Sequence, residues 1–290
     1  MATIKDVARE AGLTVGTVSR VLNNRGYISE ATRENVYRVM KELNYQPNEV
    51  ARSLSKSKTN TIGVIVPHIV HPYFAKLISN LEKAASDRGY KMLLCNSRED
   101  QNREQEYLDM LKSNRVAGLI LCSARVKTES LADLGIPVIT IERSVGAGTA
   151  SVECDNYQGG VMAAEHLIAC GCKYIINLGG VEQTKMPADS RETGFLDVCG
   201  RYGVTAIGKK SLEDEYYAME YHEYIEKIIM ENPQADGIFA SSDLLAAQVL
   251  QVCAKLGIRV PEQMKVVGFD DVNVASLTTP PITTIHQPVR

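Results

Sequence analysis

The sequence predicts a small all-α helix-turn-helix head, residues 1–46, joined through residues 47–60 to an α/β body, residues 61–290, made of two lobes with doubly wound parallel sheets. Three observations predict it. Residues 3–43 carry apolar side chains at helical spacing, punctuated by Gly12 and Gly26. From Thr61 onward, short apolar runs of strand length alternate with amphipathic stretches, and the alternation comes as two successive series. Charge divides at the same place: residues 1–60 hold ten Lys/Arg against six Asp/Glu, whereas the remainder holds 22 against 29. A basic head on an acidic body suits a module that meets phosphates attached to one that does not.

In the head, Thr3 is placed to cap a helix whose third position is Asp6, a variant of the capping box, and Val7, Ala8 and Ala11 then share one face. Gly12 stops that helix. Thr14 caps a second, in which Val18, Val21 and Leu22 point inward and Val15, Gly16, Thr17, Ser19, Arg20 and Asn23 point outward. The outer face is small, polar and basic, and a helix that slim can enter a DNA major groove. Arg25 to Ile28 reads as a turn with Gly26 in the left-handed position. Ser29 caps a third helix, whose Val36, Val39, Met40 and Leu43 close a small core.

The stretch from Pro47 to Ser55 has a two-turn helical pattern, too short to be stable alone and too poor in apolar residues to pack as a core helix, so what stabilises it is something it binds. Residues 56–60 are a polar, basic connector. In the body, 62–66, 91–95, 118–122 and 138–141 read as buried strands with helices at 73–88 and 101–114. The second series places strands at 174–178, 204–207, 237–240 and 266–268, with helices near 157–170, 190–202, 215–231 and 243–257. Folds of this type hold ligands in a cleft at the carboxyl ends of the strands.

No apolar run is long enough to span a bilayer, and Lys5, Asp6, Arg9 and Glu10 interrupt anything resembling a signal peptide, so a cytoplasmic protein is expected, with no membrane partner. Seven cysteines, mostly within apolar runs, read as buried free thiols, and Cys170-Gly171-Cys172 lacks zinc spacing, so no metal is expected. There is no Gly-x-Ser-x-Gly, Walker loop or dinucleotide fingerprint, and Gly179-Gly180 is too short a signal for phosphate; neither an enzyme nor a cofactor is indicated. His68, His71, His166 and His222 read as surface or structural residues. Polar residues at strand ends are more telling: Glu142-Arg143, Ser242-Asp243 and Asp270-Asp271, with Arg191 opening a helix. Carboxylates and an arginine converging on a cleft hold hydroxyls through charge-assisted hydrogen bonds. Asp155 and Asp243 also read as helix N-caps, and Asp271 as a turn cap.

Ile4-Lys5-Asp6-Val7-Ala8, followed by Thr17-Val18-Ser19-Arg20-Val21-Leu22-Asn23, closely resembles the start of the lactose-repressor (LacI/GalR) family of bacterial transcriptional regulators, and the resemblance continues through nearly the whole chain. It implies a type I periplasmic-binding-protein-like body, with a first lobe of about 61–156 plus the end of the chain and a second lobe of about 157–286. Proteins of the family have three crossovers between lobes and end with a further helix and strands, so a chain stopping at Gln287-Pro288-Val289-Arg290 reads as truncated. Residues 47–55 match the family's hinge helix, two copies of which pair in the minor groove of DNA. Leu54 then wedges between base steps, with Ala51 and Arg52 beside it. On the second helix, Arg20 is suited to guanine and Val15 to a thymine methyl. Gly16 offers no side chain, while Thr3, Thr17, Ser19 and Asn23 are suited to phosphates. By the same resemblance Glu142, Arg191, Asp270 and Gln287 match effector contacts, Tyr73 and Phe74 match the loop that packs on the ligand, and Ser242 stands where relatives often carry asparagine. An aromatic that some relatives place on the sugar has no clear counterpart in 212–217.

The resulting expectation is a ligand-responsive, sequence-specific regulator, read as a repressor of carbohydrate-metabolism genes. It binds a pseudo-palindromic double-stranded DNA operator as a homodimer and is switched by a small-molecule effector, a sugar or sugar phosphate. A catabolite-control or purine-type regulator of the same family, working with a phosphoprotein co-regulator, is the alternative. A sugar-binding or sugar-modifying α/β protein with a DNA-binding head is a more distant one.

Overall fold

A computed structural model describes residues 2–46, 59–123, 125, 131, 134–143, 150–181 and 186–289, and the chain divides into two units, Met1–Thr59 and Asn60–Arg290. Ala51, Arg52 and Leu54, the hinge contacts expected from the sequence, lie outside the described residues.

The head is three helices, α1 (Ile4–Glu10), α2 (Val15–Leu22) and α3 (Glu30–Glu42). Each begins on the residue whose side chain caps it. Thr3 and Asp6 form the reciprocal capping box, Thr14 accepts from the Thr17 N–H at 3.1 Å, and Ser29 accepts from the Thr32 N–H at 3.3 Å. Val7, Val18, Val21, Val36 and Val39 are nearly or fully buried in one cluster, with Leu22, Met40 and Leu43 packed against it. The Asn35 side chain donates to the Ala11 carbonyl at 3.0 Å and fixes α3 against the end of α1.

The first lobe of the body is a parallel sheet ordered β2-β1-β3-β4-β5, from β1 (Thr61–Val66), β2 (Lys91–Asn96), β3 (Gly118–Leu121), β4 (Val138–Ile141) and β5 (Ala150–Val152). Alternation along β1 assigns its two faces: Ile65 packs on α5 (Gln101–Ser113) through Leu108 and Leu111, whereas Val64 and Val66 pack on α4 (Pro72–Ser86) through Tyr73 and Leu77. The second lobe repeats the plan in the order β10-β9-β8-β6-β7, also parallel throughout. Its strands are β6 (Tyr174–Val181), β7 (Thr205–Ser211), β8 (Gly237–Ala240), β9 (Lys265–Asp270) and β10 (Thr283–His286). Helices α6 (Asn156–Ala169) and α7 (Ser190–Tyr202) cover one face. The other is covered by α9 (His222–Glu231) and α10 (Asp243–Lys255); α8 (Glu213–Ala218) precedes α9, and α11 (Asn273–Leu277) follows β9.

The pair α6 and α7 crosses backbone to backbone. A Cβ added at Gly160 would overlap the Arg191 carbonyl oxygen, and one at Gly194 would overlap the Tyr157 carbonyl oxygen. These two glycines set how deeply α7, and with it Arg191, sits against α6.

Several expectations need correction. The helix expected over 215–231 is two helices, broken at Met219 in the left-handed region (φ 57°). Gln248 of α10 makes the break tolerable: its side chain donates to the Met219 carbonyl at 2.9 Å and accepts from the Tyr221 N–H at 2.7 Å, serving backbone groups that a continuous helix would have paired. Strands β6 and β7 run beyond 178 and 207, and β5 and β10 were not anticipated because they are short and largely solvent-facing. Asp243 is not a cap. Ser242 caps α10, accepting from the Leu245 N–H at 3.2 Å, while the fully buried Asp243 accepts from the Val272 N–H at 2.8 Å and the Thr284 hydroxyl at 2.5 Å. Nor does Asp271 cap a turn; its carboxylate pairs with His286 at 2.8 Å. Asp155 does cap α6, accepting from the Gln158 N–H at 2.9 Å. Of the cysteines, Cys170 is exposed and Cys154 half-buried; the other five are buried, and all are free.

Candidate functional site

The head presents one face suited to DNA. On α2, Val15, Gly16 and Arg20 are exposed, and no described residue accepts from the Arg20 guanidinium. Thr17, Ser19 and Asn23 are half-buried. The Thr17 hydroxyl shares its cap with Thr14 at 2.9 Å, and the Asn23 amide donates to the Ser19 carbonyl at 2.8 Å. Thr3 is exposed, but both its N–H and its hydroxyl bond Asp6, at 2.9 and 2.7 Å. The side chain best placed to reach beyond the helix is therefore Arg20, a five-donor planar group matched to the acceptor edge of guanine.

In the body, Tyr73, Phe74, Glu142, Arg191, Ser242, Asp270 and Gln287 all line a single cleft between the lobes, with an empty volume of about 1030 Å³ including its mouth. Glu142 follows β4 and Asp270 ends β9. Both are held at positive φ, 51° and 104°, outlying conformations for residues with a Cβ that concentrate at functional sites.

Glu142 is fully engaged by the protein. Its Oε1 accepts from the Cys154 N–H at 2.7 Å and the Gln287 amide at 2.9 Å, and its Oε2 accepts from the Asn156 amide at 2.9 Å. Gln287 in turn donates to the Tyr73 hydroxyl at 3.2 Å. Asn156 passes the network to Arg191, accepting from its Nε at 2.8 Å, while Arg191 Nη1 donates to the Ser241 carbonyl at 2.7 Å and the guanidinium lies 3.5 Å from the Phe269 ring centroid. That cation–π contact and two hydrogen bonds hold a nearly buried charge in one orientation.

Asp270 differs. It is buried, and no described residue donates to its carboxylate. Burial pushes its pKa up to about 8 despite Arg191, with Asp243 and Glu142 acting in the same direction as burial. A carboxyl group facing a cleft without donors of its own is suited to ligand hydroxyls.

The cleft is also lined by residues that the sequence reading did not place at the effector site. Arg143, next to Glu142, is buried, meets Glu99 at 3.4 Å and faces Tyr216, and its Nε has no partner. His68 is buried on the cleft wall rather than on the surface, with Nε2 unpartnered, and burial lowers its pKa. His71 is structural as well as cleft-lining. Its Nδ1 caps α4, accepting from the Tyr73 N–H at 3.3 Å, and burial takes its pKa down to about 4, so both roles belong to a neutral ring. Tyr216 and Tyr221, on and after α8, complete the aromatic wall. Arg143 was noted in the sequence at a strand end beside Glu142, the signal that could have carried it into the effector set. Asn156 carried none, since it reads as the first residue of a capped helix. Burial pushes the Cys122 and Cys154 thiols up to about 12, which keeps them protonated and unreactive. Among the described residues no group of His, Cys, Asp or Glu is placed to hold a metal ion, and no helix is long and apolar enough to cross a membrane.

A helix-turn-helix head in one chain with a two-lobed body whose cleft is lined by charged and polar side chains defines a ligand-responsive DNA-binding regulator. Residues 3–48 match the bacterial regulatory proteins of the lacI family, and residues 59–290 match the periplasmic binding proteins and sugar binding domain of the LacI family. The chain belongs to the LacI family. It is 36% identical over 289 residues to a ribose operon repressor of Halalkalibacterium halodurans, covering 100% of this chain and 86% of that protein. It is 37% identical over 286 residues to a sucrose operon repressor of Pediococcus pentosaceus, covering 99% and 87%. Among solved structures, the lac repressor dimer bound to operator and the anti-inducer ONPF superposes with a TM-score of 0.85 at 26% identity, covering 99% of this chain and 88% of that one.

Proposed function

We propose that this protein is a cytoplasmic, homodimeric repressor of carbohydrate-metabolism genes that holds a pseudo-palindromic operator and responds to a sugar bound between its lobes; it binds its effector without transforming it. The observation that carries this reading is the Asp270 carboxyl, buried and without donors in the same cleft as the fixed Arg191 guanidinium. Together they offer an acceptor and a charged donor to adjacent hydroxyls. Arg143, the other arginine on the cleft wall, has the Glu99 carboxylate at 3.4 Å. That balance leaves little unmatched positive charge for a phosphate and favours an uncharged sugar over a sugar phosphate.

The mechanism is a population shift. A sugar that prefers one angle between the lobes biases the separation of the two hinge segments in the dimer and so operator affinity, with a coupling typically of about 1–3 kcal/mol. Arg20 reads base edges, the α2 face and Thr3 position the head on phosphates, and residues 47–55 supply the minor-groove contact through Leu54 with Ala51 and Arg52. No phosphoprotein co-regulator is needed for this cycle. Operator binding by purified protein, with fragments upstream of sugar-uptake genes and with sugars, sugar phosphates and purine bases as effectors, tests the reading. A sugar-dependent change in affinity for a palindromic site is expected. Equal affinity for palindromic and random DNA under every condition would overturn it, and a response to purines alone would favour the purine-type alternative.

A further inference from the structure

The turn after β9 meets the cleft and the first lobe within three residues. Asp270 lines the cleft, while Val272 is buried in the core cluster of the first lobe with Val64, Val66, Tyr73 and Leu77. The residue between them is gripped from the same side, since Lys76 of α4 donates to the Asp271 carbonyl at 2.7 Å. Asp270 and Asp271 both lie at positive φ, 104° and 52°, and residues with a Cβ keep such conformations only where their surroundings impose them. Here the imposing group is Asp243. It follows the cleft residue Ser242 in the first turn of α10, and its side chain is fully buried. One carboxylate oxygen accepts from the Val272 N–H at 2.8 Å and the other from the Thr284 hydroxyl at 2.5 Å, and the Thr284 oxygen in turn accepts from the Asp271 N–H at 3.4 Å. Backbone donors of two successive turn residues therefore end on one carboxylate, directly or through one hydroxyl. Room for it is made at Gly268, where a Cβ would overlap the Asp243 Oδ1. The free-energy cost of burying this carboxylate is offset by those bonds and by the amino end of α10.

We propose that Asp243 is a positioning residue of the effector switch: it makes the Asp270 contact and the Val272 seat one rigid piece, so that a ligand drawing on Asp270 moves the surface on which the first lobe packs. The proposal rests on the population-shift reading of the cleft. Without the tie, Asp270 and Val272 are joined only by two strained peptide units, which can relax around a ligand and leave Val272 where it was. With the tie, effector contact and lobe packing share one hydrogen-bonded element, the contiguous path that coupling between two sites needs. Thr284 extends that path, because it lies on β10 three residues before Gln287, which bonds Glu142 of the first lobe.

The test compares the full chain with its Asp243→Ala, Thr284→Val and Thr284→Ser variants on the operator duplex that wild type selects in vitro, with D-ribose, D-glucose and sucrose as probes. Each protein is measured for sugar affinity by calorimetry and for the ratio of operator affinities with and without saturating sugar. For wild type a ratio of about 5–150-fold is typical of such coupling. In Asp243→Ala and Thr284→Val the sugar should still bind, more weakly, while the ratio collapses to within about twofold of one. Thr284→Ser restores the hydroxyl and should keep the wild-type ratio. Thr284→Val, which conserves shape, carries the test if Asp243→Ala folds poorly. A merely structural role would lower the melting temperature and leave the ratio intact, and that result would overturn the proposal. Complete loss of sugar binding in a variant shown folded by circular dichroism would also overturn it, since Asp243 would then act on the contact alone. A wild type whose operator affinity none of the three sugars shifts would overturn the sugar switch itself and the role of Asp243 with it.

Discussion

Glu142 and Gln287 meet at 2.9 Å, one at the end of a first-lobe strand and the other just beyond the last strand of the second. The same carboxylate holds Cys154 and Asn156, where the chain first passes from one lobe to the other, and through Asn156 it reaches Arg191 at 2.8 Å. One side chain thus joins two connecting segments to the cleft's principal cation. Movement of Arg191 onto a ligand would be transmitted to both connections, which is the physical requirement for coupling ligand binding to lobe angle.

Glu142→Gln should expose this role. Its carboxylate accepts from three N–H donors, and replacing one oxygen by an NH₂ sets donor against donor at a half-buried position. A loss of about 1–3 kcal/mol in urea-induced unfolding is expected, with effector response reduced and operator affinity retained. Glu142→Asp keeps the charge but is one methylene too short to hold all three donors, so it should fall between wild type and Glu142→Gln. Wild-type stability and response in Glu142→Gln would remove the brace from the mechanism.

The lobes were readable in the sequence because runs such as Ile62–Val66 and Gly237–Ala240 are buried on both faces and leave an unbroken apolar signature. Strands β5 and β10 were not, since Ala150–Val152 is exposed throughout and Thr283–His286 is mostly polar. The break at Met219 depends on Gln248, which is remote in sequence and becomes a neighbour only after folding. The cleft shows the same division. Arg191 and Asp270 stand out as charges at element ends, whereas the bridging role of Asn156 exists only once Glu142 and Arg191 flank it.

Gly160→Ala should act at a distance. The added methyl would overlap the Arg191 carbonyl oxygen, and because backbone rather than a flexible side chain stands in the way, α7 must shift. Overpacking of this kind costs about 1–3 kcal/mol, and the shift should draw the guanidinium off Asn156 and Phe269. A lowered melting temperature together with weakened sugar binding is expected. Weakened stability with full sugar affinity would show that Arg191 reaches its place independently of helix spacing.

Arg20→Ala removes a guanidinium from which no described residue accepts, on the exposed face of α2, without touching the Thr14 cap or the valine core. Loss of a bidentate base contact should cost about 1–3 kcal/mol of discrimination at one base pair of each half-site while the rest of the site is still read. In vitro selection of bound sequences measures this directly. A loss of affinity spread evenly over all sequences would assign Arg20 to phosphate instead.

Asp270 should make effector binding depend on pH. Around its carboxyl stand Arg191 of α7, Asp243 of α10, Glu142 after β4 and Lys76 of α4, and burial outweighs the cations, holding the pKa near about 8. In the empty cleft the group is therefore mostly protonated at neutral pH. Sugar hydroxyls donating to the ionised form would stabilise it, so binding should release a proton, and affinity should rise with pH and level off above about 8, by at most about tenfold per pH unit. For the empty protein the sign is opposite. A folded-state pKa raised from 3.8 means the fold binds the proton more tightly than the unfolded chain does, so this group's contribution to stability is present below about 4 and is lost as pH rises through about 8. Asp270→Asn should abolish both trends, leaving sugar affinity weaker and flat with pH and the empty body more stable than wild type in alkaline buffer. Titration calorimetry in buffers of different ionisation enthalpy counts the released proton, and a count of zero for wild type near neutral pH would place the hydroxyl contacts elsewhere in the cleft.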